Sequence, residues 1–321
     1  MAARGPHHQR RAAHAGGGRA AGRLPDVLAQ DGVPHRLGGP LDGGRHDGLR
    51  PAHRAAALPG GGVSAPELFD THAHLHFPDF ADDLPAVLAR ARAAGVSRLL
   101  TIGADVETSA AAVALAAREA NVWAAVGIHP HDAGEADDGA LAEIERLATA
   151  PRVVAVGEIG LDFFRNLSPR DAQERTLRHL LDLARRVGKP ALIHCRDAHE
   201  ETLAILGEAR VGEVGGIMHC FSGDVTIARR CLDLGLTISL AGPVTYPNAR
   251  ALPDVARFVP ADRLVVETDC PYLPPQGHRG QRNEPAYLPL TAARVAELRG
   301  EPLATLGPRM SDNARRLLRV A

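Results

Sequence analysis

Leu68-Phe69-Asp70-Thr71-His72-Ala73-His74-Leu75 opens apolar and closes on two histidines one residue apart. In an extended strand alternate side chains leave the same face, so His72 and His74 project together as two imidazoles fit to grip one metal ion. Outward from this stretch the chain becomes regular. Short β-rich apolar runs at 68–75, 98–104, 122–129, 153–161, 191–196, 216–221, 237–241 and 264–269 alternate with amphipathic helical stretches such as 82–94, 106–120, 171–187, 198–209, 225–234 and 252–259. That alternation predicts an α/β fold of parallel strands joined by crossover helices, and eight repeats of the unit predict a closed (β/α)8 TIM barrel. A doubly wound open sheet is the alternative, but no G-x-G-x-x-G turn follows the first run. Segments 290–298 and 310–320 are expected to complete the outer helical ring.

Upstream the pattern is lost. Residues 1–64 are rich in Gly, Ala, Arg, His and Pro without periodicity, as in Pro59-Gly60-Gly61-Gly62, and cannot bury enough apolar surface to offset their ordering entropy. A disordered extension over 1–64 and a barrel domain over 65–321 are expected, with translation beginning near Val63. Intact mass of the native protein checks that start.

Of the 321 residues 45% are hydrophobic and 23% charged, with a formal net charge of −1, which excludes a long, uniformly basic nucleic-acid binder. Aromatics at 3% leave few side chains for a base-stacking platform and weigh against a pure binding module. The four cysteines, Cys195, Cys220, Cys231 and Cys270, show no C-x-x-C spacing, and no stretch reaches the ~20 apolar residues of a membrane span. A cytoplasmic protein without a membrane anchor or obligate protein partner is expected.

In a (β/α)8 barrel the active site lies at the C-terminal mouth of the strands. There the first run ends on His72 and His74, the fourth on Glu158, the fifth on His194, the sixth on His219 and the eighth on Asp269. Each follows an apolar run, where a charge or imidazole is costly unless compensated, and a metal would compensate all six. Four imidazoles and two carboxylates are too many for one tetrahedral site, so two divalent ions (Mg, Mn or Zn) are expected, with Glu158 central enough to bridge them. Such a pair activates a water and steadies the attacking and leaving oxygens of a displacement. Glu158 and Asp269 are the expected catalytic residues, Asp269 as acceptor of the water's proton.

Lys189, the only lysine, precedes the fifth run at the wrong end of the barrel, so a carbamylated bridging lysine is unavailable and Glu158 must serve. No G-x-S-x-G elbow is present, and alternation points Cys195, Cys220 and Cys270 away from the ligands they neighbour, as packing residues. A second tier suits an anionic substrate: His129 and His131 end the third run, Arg196 follows His194, and Gly277-His278-Arg279-Gly280-Gln281-Arg282-Asn283-Glu284 follows the eighth. Arginines at a barrel mouth favour a phosphate. His129, Arg196, Arg279 and Asn283 are the expected substrate contacts.

Asp70-Thr71-His72-Ala73-His74-Leu75, Gly127-Ile128-His129-Pro130-His131, Gly157-Glu158-Ile159-Gly160-Leu161-Asp162, Ile193-His194-Cys195-Arg196-Asp197-Ala198, His219-Cys220-Phe221-Ser222-Gly223, Glu267-Thr268-Asp269-Cys270-Pro271-Tyr272-Leu273 and Arg279-Gly280-Gln281-Arg282-Asn283-Glu284-Pro285 occur in one order from about residue 68 to the end. In these motifs the chain closely resembles the TatD family of metal-dependent hydrolases, of the amidohydrolase-like barrel superfamily. The resemblance implies that His72, His74 and Asp269 bind one divalent metal, that His194 and His219 bind a second, and that Glu158 bridges both. It also implies a deoxyribonuclease of the 3′-to-5′ exonuclease kind, acting on DNA or another phosphodiester. His76, where many members carry Asp, is a departure that bears on rim contacts more than on the metal centre. Two other functions fit the residues less well: hydrolysis of a small ester, amide or lactone, which the arginines oppose, and a non-catalytic nucleic-acid-binding barrel, which predicts no bound metal.

Overall fold

Eight apolar runs become eight parallel strands, β1 (Leu68–Ala73), β2 (Val96–Ile102), β3 (Val122–Val126), β4 (Val153–Asp162), β5 (Ala191–Arg196), β6 (Gly216–Met218), β7 (Thr237–Leu240) and β8 (Leu264–Val266), hydrogen-bonded in chain order. The computed structural model describes residues 67–321. The expectations for residues 1–64, disorder and a start near Val63, lie outside the described residues. Closure comes at the mouth: Ala73 and Cys270 form a parallel bridge, Asp269 N donates to His72 O (2.9 Å) and His74 N donates to Cys270 O (2.8 Å). The seam of the barrel therefore runs through the ends that carry His72, His74 and Asp269.

The helices are α1 (Leu84–Ala93), α2 (Val106–Arg118), α3 (Asp138–Ala148), α4 (Arg170–Val187), α5 (His199–Glu208), α6 (Val225–Asp233), α7 (Leu252–Phe258), α8 (Leu288–Arg299) and α9 (Leu303–Leu318). Asp105 starts α2 with a capping box shared with Thr108, and Asp137 and Asp224 cap α3 and α6. Two helices depart from expectation. The sequence reading did not list α3, whose buried face is only Ile144, Leu147 and Ala148. The expected segment 310–320 begins after Pro308, yet α9 starts at Leu303 and runs through that proline, because Leu306, Met310, Ala314 and Leu318 form an i, i+4 stripe whose burial outweighs the one backbone hydrogen bond that proline forfeits.

Apolar side chains divide into two layers. The larger packs the helices on the outside of the sheet, while Phe69, Leu100, Ile102, Ala125, Ala155, Leu192, Ile217 and Val265 fill the barrel and pack on Leu318 and Val320. The lumen is thus plugged below and polar only at the mouth. Strand register slips between Asp70 and Ala73 on β1 and between Val156 and Ile159 on β4, the places that deliver His72 and Glu158. Such irregularities re-aim side chains next to active sites. A Cβ on Gly160 would sit 1.9 Å from His194 O, so only glycine lets β5 lie this close beside Glu158.

The long connection after β8 is fastened to α1. Arg90 donates from Nε and Nη2 to the two oxygens of the buried Glu284 (2.8 and 2.6 Å), and Arg282 donates from both terminal nitrogens to Asp83 (2.8 Å each). Glu284→Ala is expected to lower unfolding stability by about 2 kcal/mol, the scale of charge-assisted hydrogen bonds, read from the denaturant midpoint. An unchanged midpoint refutes the clamp.

Candidate metal centre

The two oxygens of Glu158 face different groups. Oε2 lies 3.3 Å from His72 Nε2 and 3.9 Å from His74 Nε2, and Asp269 Oδ1 lies 3.7 and 3.5 Å from the same two nitrogens. Oε1 lies 2.8 Å from His194 Nδ1, 3.3 Å from His219 Nε2 and 3.4 Å from His129 Nε2. Donor atoms of His72, His74 and Asp269, of His72, Glu158 and His219, and of His129, Glu158 and His194 each gather within 4.8 Å of one another. All six residues expected from the strand ends are brought together, on five strands.

Hydrogen bonds behind the centre assign the ring nitrogens. His74 Nδ1 lies 2.9 Å from Ile102 O, which can only accept, so the proton sits on Nδ1 and the Nε2 lone pair faces the carboxylates. Behind the other two imidazoles stand carboxylates, Glu267 Oε1 at 2.9 Å from His219 Nδ1 and Asp162 Oδ2 at 3.3 Å from His194 Nε2, which orient the rings. Glu267 is fully buried and accepts also from Ser239 Oγ and Cys220 N, both at 2.6 Å. Asp162 takes His131 Nε2 at 2.9 Å and Arg165 N at 2.7 Å. Asp70, fully buried on β1, accepts from Thr268 N and Oγ1 (2.9 and 2.6 Å), which ties the first strand to the residues just past the last; burial pushes its carboxyl up to about 7 against those bonds.

Sequence reasoning gave no role to Glu267, Asp162 or Asp70. The signal was present, because each is a charge inside or directly after an apolar strand and so needs a compensating partner.

The residues fit divalent cations. His72 is completely buried, and neither of its ring nitrogens has a hydrogen-bond partner among the described residues. Burial, aided by the neighbouring His219, holds it below the ordinary imidazole range, in the neutral form that coordinates. For His74, His194 and His219 burial acts in the same direction but is overcome by the facing carboxylates, which raise them above the ordinary value. Burial alone would raise Glu158 and Asp269, yet the imidazoles hold both below the ordinary carboxyl range. The carboxylates thus draw positive charge to the centre, and metal binding exchanges those protons for cations.

His129 is placed differently. Its Nδ1 accepts from His131 N (3.1 Å), so in the neutral ring the proton sits on Nε2 and points at Glu158 Oε1 and His194 Nδ1. Burial and the nearby His194 push it down to about 4. It enters the centre as a neutral donor. Arg196, at the end of β5, stacks its guanidinium 3.9 Å over the Phe164 ring, and the exposed Arg279 stacks 4.7 Å over Tyr246.

Asn283, an expected substrate contact, is not brought to the mouth. It is 0% exposed, donates to Thr268 O and Tyr272 O (2.8 and 2.6 Å) and accepts from Glu284 N (2.9 Å), a brace for its loop. His76 lies outside the three donor groups, with Nδ1 3.1 Å from Thr101 Oγ1. Lys189 Nζ donates to Ala148 O at the end of α3, remote from the mouth. Burial raises all four thiols, Cys195 to about 11, which suits packing residues and not nucleophiles.

Among known proteins the same barrel recurs. The chain is 43% identical over 259 residues to the 3′-5′ ssDNA/RNA exonuclease TatD of Enterobacter lignolyticus, covering 79% of this chain and 100% of that one. It is 41% identical over 253 residues to the uncharacterized metal-dependent hydrolase YabD of Bacillus subtilis, covering 79% and 99%. The crystal structure of YJJV, a TatD homolog from Escherichia coli K12, superposes with a TM-score of 0.76 at 34% identity, over 79% of this chain and 98% of that one. The family model for TatD related DNase matches residues 69–319, from the second residue of β1 to just past α9. The chain therefore belongs to the TatD family and is a metal-dependent hydrolase.

Proposed function

We propose that the enzyme is a two-metal phosphodiesterase that removes nucleotides from the 3′ end of DNA or a related nucleic acid. The observation that carries this reading is the division of the Glu158 carboxylate, one oxygen toward His72 and His74 and the other toward His194 and His219. In this reading His72, His74, Asp269 and Glu158 hold one divalent ion, of the Mg, Mn or Zn class, and Glu158, His194 and His219 hold the other. Such ions supply, when bound, a nucleophile usable at neutral pH and polarisation of a phosphoryl oxygen.

The chain's own groups do the rest. Asp269 sits at the mouth as an ionised carboxylate and takes the proton of the attacking water. His129, whose Nε2–H faces Glu158 and His194, supplies a neutral hydrogen-bond donor beside the reacting phosphate without competing for the cations' place. Arg196 and Arg279 meet the adjoining phosphates. A near-neutral protein suits a grip on a few terminal nucleotides better than on a long duplex.

Relatives from Enterobacter lignolyticus and Salmonella typhimurium that are named 3′-5′ ssDNA/RNA exonucleases, at 43% and 40% identity, support the substrate class. Four unpaired cysteines support a reducing, cytoplasmic setting, and no helix among the described residues is long and apolar enough to cross a membrane.

The test is a panel of 5′-labelled single-stranded DNA, RNA and carboxylic esters, with Mn or Mg added and bound metal measured. The expected result is stepwise shortening from the 3′ end, abolished by a chelator and restored by the ion. Turnover of the esters alone removes the nuclease reading.

A further inference from the structure

Three large apolar side chains are exposed among the described residues, and two of them, Phe164 (49%) and Leu167 (55%), lie in the connection between β4 and α4, residues 163–169, beside the centre. Phe164 is also the only exposed aromatic side chain among the described residues. The exposure does not come from a loosely held loop. Phe163 N donates to Arg196 O (2.9 Å), extending the β4–β5 ladder past Asp162, and Arg165 N donates to Asp162 Oδ1 (2.7 Å). At the far end Ser168 Oγ donates to His131 O (2.6 Å) and accepts from Gly134 N (2.9 Å), while Gln173 Nε2 donates to Ser168 O (2.8 Å). Both ends are fastened and the middle is presented to solvent. Preorganised exposure of this kind marks a contact surface.

Its chemistry is specific. The Arg196 guanidinium lies 3.9 Å over one face of the Phe164 ring, and Arg196 is two residues beyond His194 on the same strand. A cation next to the reacting phosphate followed by an open aromatic surface matches one nucleotide, a phosphate joined to a base with a π face.

We propose that Phe164, with Arg196 stacked on it, is a platform for an unpaired base of a single-stranded nucleic acid whose phosphate lies at the metal centre. Stacking is tolerant of base identity, so the platform favours single strands without reading sequence. The inference rests on the phosphodiesterase reading and gives it a second contact.

The test uses the full chain with Mg and two 5′-fluorescent octamers, one of thymidine and one with the same backbone lacking every base, both carrying 3′ phosphorothioate linkages to slow hydrolysis. Fluorescence anisotropy is expected to show about tenfold tighter binding of the thymidine octamer by the wild type. Phe164→Ala and Phe164→Leu are expected to bring it down to the level of the abasic octamer, and Phe164→Tyr to retain the preference. Equal binding of the two octamers by the wild type, or an undiminished preference in Phe164→Ala, overturns the platform. Shortening of the unmodified thymidine octamer is followed separately. Preferential binding without shortening overturns the phosphodiesterase reading and leaves the platform standing, whereas shortening without preference does the reverse.

Discussion

Glu158→Ala is expected to lower hydrolysis by about a thousandfold or more, because it removes several kcal/mol of charge complementarity at once. Both carboxylate oxygens are in use, with nitrogens of His72, His194, His219 and His129 within 3.4 Å of one or the other. Alanine leaves these imidazoles without their shared counter-charge, so bound metal should fall together with rate. Glu158→Gln keeps the shape and loses the charge, and should be nearly as inactive. Turnover at saturating Mn and metal content after dialysis measure the effect. Circular dichroism establishes that the barrel is retained. Activity within tenfold of wild type in either variant would remove Glu158 from the bridging role.

The second large effect lies behind the ligands. Glu267 has no exposed surface, and its acceptors serve His219 Nδ1, Cys220 N and Ser239 Oγ. Glu267→Ala leaves three buried donors unmet, so a loss of about 3–5 kcal/mol in unfolding stability is expected, the scale for breaking a buried pair by removing one partner. At temperatures where the variant still folds, activity should drop by about 10–100-fold, since His219 loses the bond that fixes its tautomer. Glu267→Gln still offers one oxygen to His219 and Cys220, and its amide can donate to Ser239, so it should recover most of the stability. Urea midpoints and kcat at saturating metal separate the two effects. A Glu267→Ala midpoint equal to wild type would show that the three donors find water instead.

Much of this organisation was legible in the sequence, because a barrel places its chemistry by rule. Once eight runs alternate with helices, the last polar residue of each run falls at one mouth, and His72, His74, Glu158, His194, His219 and Asp269 could be read off one dimension. The limits of that reading have physical causes. Asn283 sits in a loop full of arginines and so resembled a substrate contact, but loop position says nothing about direction, and its amide turns inward to brace Thr268 and Tyr272. His129 was grouped with the substrate residues, and its proximity to Glu158 and His194 depends on how the connection after β3 folds back, which no periodicity encodes. The expected segment 310–320 is only the second half of a helix, because the tertiary stripe on both sides of Pro308 carries α9 from Leu303. Strand ends follow from pattern, whereas the partners that orient them follow only from the closed ring.

The seam between β1 and β8 has a consequence for biosynthesis. Asp269 reaches His72 only after the eighth strand has been made and has bridged to Ala73. A ribosome that stalls, or a message cut short before Leu264, releases a chain that holds five of the six gathered residues and lacks both the last carboxylate and the closing bridge. Such a fragment has no completed centre. For a metal-dependent hydrolase, the order of translation is itself a safeguard, since the ability to hydrolyse arrives with almost the last part of the barrel to be made.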